Sequence, residues 1–123
     1  MAKRVLDIGN CSPDHAAIRG LIQSNFGAEV VRAHGWRDAS AELQAGRIDL
    51  VLVNRRLDRD HGDGLEIIRQ IKSDEHLAAV PCMLISNFPD FQTKAVEIGA
   101  EPGFGKAELD EPATVEKLQR FLG

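Results

Sequence analysis

The segment Ile48-Asp49-Leu50-Val51-Leu52-Val53-Asn54 is apolar from end to end except for Asp49 near its start and Asn54 at its close. It is far too short to span a membrane, which takes about 20 apolar residues. It is also too continuous for a strand with one wet face, which would alternate polar and apolar residues. A run of this kind suits a central strand of a parallel sheet, buried on both faces by crossover helices. We place the third strand at Ile48 to Val53.

The flanking sequence supplies the rest of such a sheet. Arg4 to Ile8 reads as a first strand ended by Gly9-Asn10-Cys11. Ser12-Pro13-Asp14 then reads as N-cap, first-turn proline and first-turn acid of a helix with Ile18, Leu21 and Ile22 on one face and Gly27 at its stop. Glu29 to Ala33 is a second strand, and Asp38 is expected to cap a helix carrying Ala39, Ala41 and Leu43 up to Gly46. After a polar loop from Asn54 to Asp63, residues 64–73 form a third helix with Asp63 as its cap. Val80 to Ile85 is a fourth strand, and Asp90 is expected to cap a helix bearing Phe91, Ala95 and Ile98. Pro102 to Gly105 is a weak fifth strand. A last helix after Asp110 or Glu111 and Pro112 carries Val115, Leu118, Phe121 and Leu122. Five βα units predict an α/β fold: a flavodoxin-like, doubly wound, five-stranded parallel sheet of order 2-1-3-4-5 with five helices, residues 1–123 making one domain.

Composition narrows the function. Nineteen acids against 15 bases give a net charge of −4 with the bases scattered, so no stripe for a phosphate backbone exists and direct nucleic-acid binding is not expected. No apolar stretch has the length of a signal peptide or a membrane span, and the two cysteines, Cys11 and Cys82, lie in or beside apolar runs where thiols behave as small hydrophobes. We expect a cytoplasmic protein without a disulfide. Neither a phosphate loop, a dinucleotide fingerprint nor a clustered nucleophile and base is present, and no enzyme is expected.

Over essentially its whole length the chain resembles the receiver domain of bacterial two-component response regulators. The likeness rests on Lys3-Arg4-Val5-Leu6, on Asp49-Leu50-Val51-Leu52-Val53 before position 54, on Gly62-Asp63-Gly64-Leu65-Glu66, on Pro81 to Ser86, and on Gly99-Ala100 seven residues before Lys106. In that family two acids end the first strand, an aspartate ending the third accepts a phosphoryl group, a hydroxyl ends the fourth and a lysine ends the fifth. The resemblance places Gly9 and Asn10 at the acid pair, Asn54 at the phosphoacceptor, and Ser86 and Lys106 at the two retained pocket positions. It places Gly103 where the family carries an aromatic switch residue, Phe104 one place along on the opposite face, and Ala107 where a proline follows the lysine. A carboxamide is a poor nucleophile and glycine offers no ligand, so neither phosphorylation at Asn54 nor Mg²⁺ binding is expected. The loop after the third strand also holds about two extra residues, with Arg59 and Asp60 as candidates.

Lys106 needs a partner, which Asp7, Asp58 or a bound anion could supply. Ser86 either donates to a ligand or caps the following loop. Asp7 interrupts an apolar strand, and we read it as facing the sheet margin and pairing with Arg32, His34 or Lys3. Asp58-Arg59-Asp60-His61-Gly62-Asp63 gathers acids without the Ca²⁺-loop spacing and reads as a solvated loop. The leading expectation is a phosphorylation-independent interaction module that meets a partner or a second copy through its fourth helix, fifth strand and fifth helix. Two alternatives are a phosphorelay receiver using Asp58 supported by Asp60, and a small-molecule or anion sensor using Arg55, Ser86 and Lys106; an anion could also sit between Arg55, Arg56 and Lys106.

Overall fold

The computed structural model describes residues 2–123. The strands are β1 (Arg4–Ile8), β2 (Glu29–Ala33), β3 (Leu50–Asn54), β4 (Cys82–Ile85) and β5 (Glu101–Phe104). The helices are α1 (Ser12–Phe26), α2 (Trp36–Ala45), α3 (Gly64–Ser73), α4 (Pro89–Glu97) and α5 (Pro112–Leu122), and a short 3-10 turn spans Lys106–Glu108. Every strand pairing is parallel and the order is β2-β1-β3-β4-β5, the doubly wound order expected.

Period two along the strands sorts the core into two layers. Leu6, Ile8, Val51, Val53, Cys82 and Leu84 face one way and pack with Leu43, Leu65, Ile68 and Ile71 of α2 and α3. Val5, Leu50, Leu52, Met83, Ile85 and Phe104 face the other way, against Ile18 and Ile22 of α1 and Leu118 and Leu122 of α5. Full burial of such a side chain contributes roughly 1.5–3 kcal/mol, so strands apolar on both faces are what hold the sheet between its helices. Among the described residues no helix is long and apolar enough to cross a membrane.

Several boundaries differ from the sequence reading. β3 begins at Leu50 and ends at Asn54, because Asp49 turns its carboxylate to the Arg4 amide (2.8 Å). β4 starts at Cys82, after Pro81, which has no amide hydrogen to donate to the ladder. β5 starts at Glu101. Helix α1 begins one residue early, with Cys11 rather than Ser12 at the N-cap. Asp38 is not an N-cap: α2 starts at Trp36 behind Gly35, and the Asp38 carboxylate reaches back to the amides of His34 (2.8 Å) and Gly35 (2.9 Å). Its burial favours the neutral form, yet these amide donors outweigh that and hold its carboxyl below the usual range. Asp90 lies in the first turn of α4 behind an N-cap at Phe88. Asp63 does cap α3, accepting from the Leu65 amide at 2.9 Å. Both thiols are free, but only Cys82 is a buried hydrophobe, its thiol pushed up to about 11 by burial against the opposing charge of Lys72; Cys11 is exposed.

Candidate functional site

A doubly wound sheet offers its ligand crevice where the strand order reverses, beyond the carboxyl ends of the strands. Here the chain passes from β1 to β2 on one side while β3 pairs on the other, so the crevice opens over the ends of β1 and β3. The topology therefore brings together Gly9, Asn10 and Asn54, with Ser86 following β4 and Lys106 following β5.

Asp7 is fully buried, not at the sheet margin, because β1 lies between β2 and β3. It faces the same side as Val5, toward α1, and that direction decides its partners. His15 Nδ1 of α1 lies 2.7 Å from Asp7 Oδ2, and Asn10 Nδ2 donates to Asp7 Oδ1 at 2.5 Å. None of the three expected partners, Arg32, His34 or Lys3, bonds it. Desolvation raises the Asp7 carboxyl above the usual carboxylate range, working against the bonds from His15 and Asn10 and the nearby charge of Arg32. Asn10 itself is buried, and its Oδ1 has no hydrogen-bond partner.

Asn54 is tied by its amide nitrogen, which donates to the Arg56 carbonyl at 2.6 Å and to the Gly9 carbonyl at 3.2 Å. Gly9 has φ +79°, a left-handed conformation that glycine adopts readily, and a side chain there would run into Leu57. The residues at the three family acid positions thus offer only neutral amide oxygens, those of Asn10 and Asn54, and no carboxylate. Mg²⁺ demands hard, charged oxygen ligands in near-octahedral array, and this donor set does not fit it.

Lys106 finds neither Asp7 nor Asp58. Its Nζ lies 2.7 Å from Asp14 Oδ2 in the first turn of α1, where Cys11 Sγ also donates to Asp14 at 3.1 Å. The bond from Lys106 is the main reason the Asp14 carboxyl is held below the usual range. Ser86 is buried, and its hydroxyl accepts from the Phe88 amide at 3.2 Å, so it caps the β4–α4 loop. Asp58 is turned away toward β2, at 3.1 Å from His34 Nδ1 and 3.6 Å from Arg32. Asp60 accepts from the Gly62 amide at 2.8 Å.

Around Gly103, where the resemblance places an aromatic switch residue, the structure has a glutamine contact instead. β4 and β5 lose register between Met83 and Ile85, and the Gln92 side chain of α4 fills the gap. Its Nε2 donates to the carbonyls of Leu84 (2.8 Å) and Ser86 (3.2 Å), and its Oε1 accepts from the Gly103 amide at 3.0 Å. A Cβ at position 103 would overlap the Leu84 carbonyl oxygen, so the close approach demands glycine. Phe104 is buried in the α1–α5 layer.

Arg55 and Arg56 do lie with Lys106, Ser86, Asn54 and Phe88 around a cleft of about 230 Å³. A larger groove of about 570 Å³ runs between α4, β5 and α5, past Pro89, Val96, Pro102 and Lys117. The sequence reading missed Asp14, His15 and Gln92. For His15 a signal existed, since a histidine one helical turn after a strand-end loop can reach back to a buried acid. For Gln92 there was none.

No protein-family model matches the chain. The fold is that of response-regulator receiver domains. The signal receiver domain of a DNA-binding response regulator from Colwellia psychrerythraea superposes with a TM-score of 0.80 at 22% identity, over 96% of each chain. A response regulator receiver protein from Pseudomonas putida gives 0.79 at 21% identity over 98% of each. The receiver domain of a signal transduction histidine kinase from Syntrophus aciditrophicus gives 0.76 at 20% identity, over 98% of this chain and 90% of that one. In sequence the chain is similar to a gliding motility regulatory protein of Myxococcus xanthus, 24% identical over 112 residues. That stretch is 89% of this chain but 14% of the relative, so the chain spans about a seventh of its length.

Proposed function

We propose that the chain is a receiver-like module of two-component signalling that acts by binding a protein partner, without phosphoryl transfer, bound Mg²⁺ or enzymatic activity. The observation that carries this reading is the Lys106–Asp14 pair, seen together with Asn54. The lysine that would grip a phosphoryl group is matched by a carboxylate from within the chain, and the residue that would accept one is an amide whose N–H groups are both in use. Reaction through the Asn54 amide oxygen would build a charged adduct on a poor nucleophile, with no metal to neutralise the phosphoryl oxygens. The groove between α4, β5 and α5, with exposed Val96 on its wall, supports that face as the meeting surface for a partner or a second copy.

The alternative acceptor, Asp58, has His34 and Arg32 against its carboxylate, and among the described residues it belongs to no cluster of three or more metal-ligating side chains; Asp60 is bonded to its own loop. Incubation with acetyl phosphate and Mg²⁺, followed by intact-protein mass spectrometry, tests the reading. An unchanged mass is expected. A phosphorylated species at any aspartate, lost on its replacement by alanine, overturns it.

A further inference from the structure

In a chain of net charge −4, Arg55, Arg56 and Lys94 lie close together where β3 ends beside α4. Arg55 follows β3 and stacks its guanidinium on the Phe91 ring, 4.0 Å from the centroid, while Lys94 approaches the same ring at 5.2 Å. Among the described residues neither Arg55, Arg56 nor Lys94 has a carboxylate within ion-pair distance. Even with Asp90 in the first turn of α4 counted, the patch stays net positive. Beside it stands Phe88, 62% exposed, packed edge-on against Phe91 with ring centroids 6.3 Å apart. Phe88, Arg55 and Arg56 share the walls of the 230 Å³ cleft, which is open to a single side chain rather than to a drug-sized ligand.

We propose that this cleft docks an acidic segment of a partner protein, one carboxylate side chain entering between Arg55 and Arg56 and a neighbouring apolar side chain lying on Phe88. The proposal rests on the partner-binding reading above and names the partner's chemistry; its cleft adjoins the groove between α4, β5 and α5, sharing Ser86 and Asn87 with it. Stacking on Phe91 holds the Arg55 guanidinium in one plane, so its N–H edge is presented with little entropy left to lose, and a planar carboxylate matches that edge. Aromatic and arginine side chains together are also the residues that most often anchor protein interfaces. Lys106 stays with Asp14 and adds field rather than a contact.

The test is fluorescence anisotropy with a short labelled peptide of alternating Glu and Leu, beside the same peptide with Gln for Glu. The Glu peptide is expected to bind, to weaken as salt rises, and to bind at least about tenfold more weakly to Arg56→Glu and to Phe88→Ala. Both positions are exposed, so these variants should keep the parent melting curve even if Arg55→Glu does not fold. Arg19→Glu, on the exposed side of α1, should change nothing. Equal binding of the Gln peptide, indifference to Arg56→Glu, or tighter binding of inorganic phosphate than of the peptide overturns the proposal. Because no phosphodonor is present, failure here leaves the mass-spectrometric test of phosphorylation untouched.

Discussion

Replacing Asn54 with aspartate changes one group and would restore the acceptor carboxylate of the receiver family, yet the structure argues that it harms the protein. The Asn54 amide nitrogen donates two hydrogen bonds, to the Arg56 carbonyl at 2.6 Å and the Gly9 carbonyl at 3.2 Å. A carboxylate cannot donate, so Asn54→Asp would set a negative oxygen against two carbonyl oxygens. Two lost bonds at about 1 kcal/mol each, eased by the half-exposed position, put the cost at about 1–2 kcal/mol. For a chain of this size that is a fall in Tm of about 4–8 °C. Thermal unfolding by circular dichroism measures it, and a Mg²⁺ titration of the same variant measures the second consequence. Gly9 still contributes no ligand and Asn10 offers only a neutral amide oxygen, so saturating Mg²⁺ should not recover the lost stability. A variant as stable as the parent, or one that Mg²⁺ stabilises by several degrees, would refute the reasoning.

Gly103→Ala should be among the most damaging small substitutions, costing about 2 kcal/mol or more, because its Cβ would overlap the Leu84 carbonyl and push against Gln92; urea denaturation checks this. Asp7→Asn bears on pH. The native Asp7 carboxyl is raised above its unfolded value, so the native state takes up a proton that the unfolded chain does not. The parent should therefore gain stability relative to Asp7→Asn as pH falls from neutral toward the ordinary carboxylate value, read from denaturation midpoints at several pH values. Asp14→Asn should behave in the opposite sense. The Asp14 carboxyl is lowered by Lys106, so its contribution is present above the unfolded value and disappears as pH falls through the folded one. Since the pair is a third exposed, the difference at neutral pH should stay below about 1 kcal/mol.

The sheet was legible because its signals are local. An apolar run at β3, a glycine closing α1 at φ 63° and an aspartate capping α3 each act within a few residues of themselves. What escaped depends on partners far along the chain. The expected order already sets β1 inside the sheet, so a marginal Asp7 conflicts with it; what the strand alone does not show is its partner, and only the α1 face that meets it shows His15. Lys106 and Asp14 are brought together by the whole doubly wound arrangement rather than by any spacing. Asp38 and Asp90 lie three and two residues past the true caps because an acid in a first turn serves the same helix terminus as one at the cap. The positions at the strand ends were read through resemblance, and their side-chain bonding, Asn54 to two carbonyls and Ser86 to the Phe88 amide, could not be read from residue type.

Amide proton–nitrogen spectra of the labelled protein, recorded with Mg²⁺ alone and then with Mg²⁺ and beryllofluoride, put the central claim to its most direct trial. A site without carboxylate ligands and with Lys106 already matched predicts unchanged resonances for Gly9, Asn10, Asn54, Ser86 and Lys106. A Mg²⁺-dependent second set of peaks at those residues, spreading to α4 and β5, would contradict it.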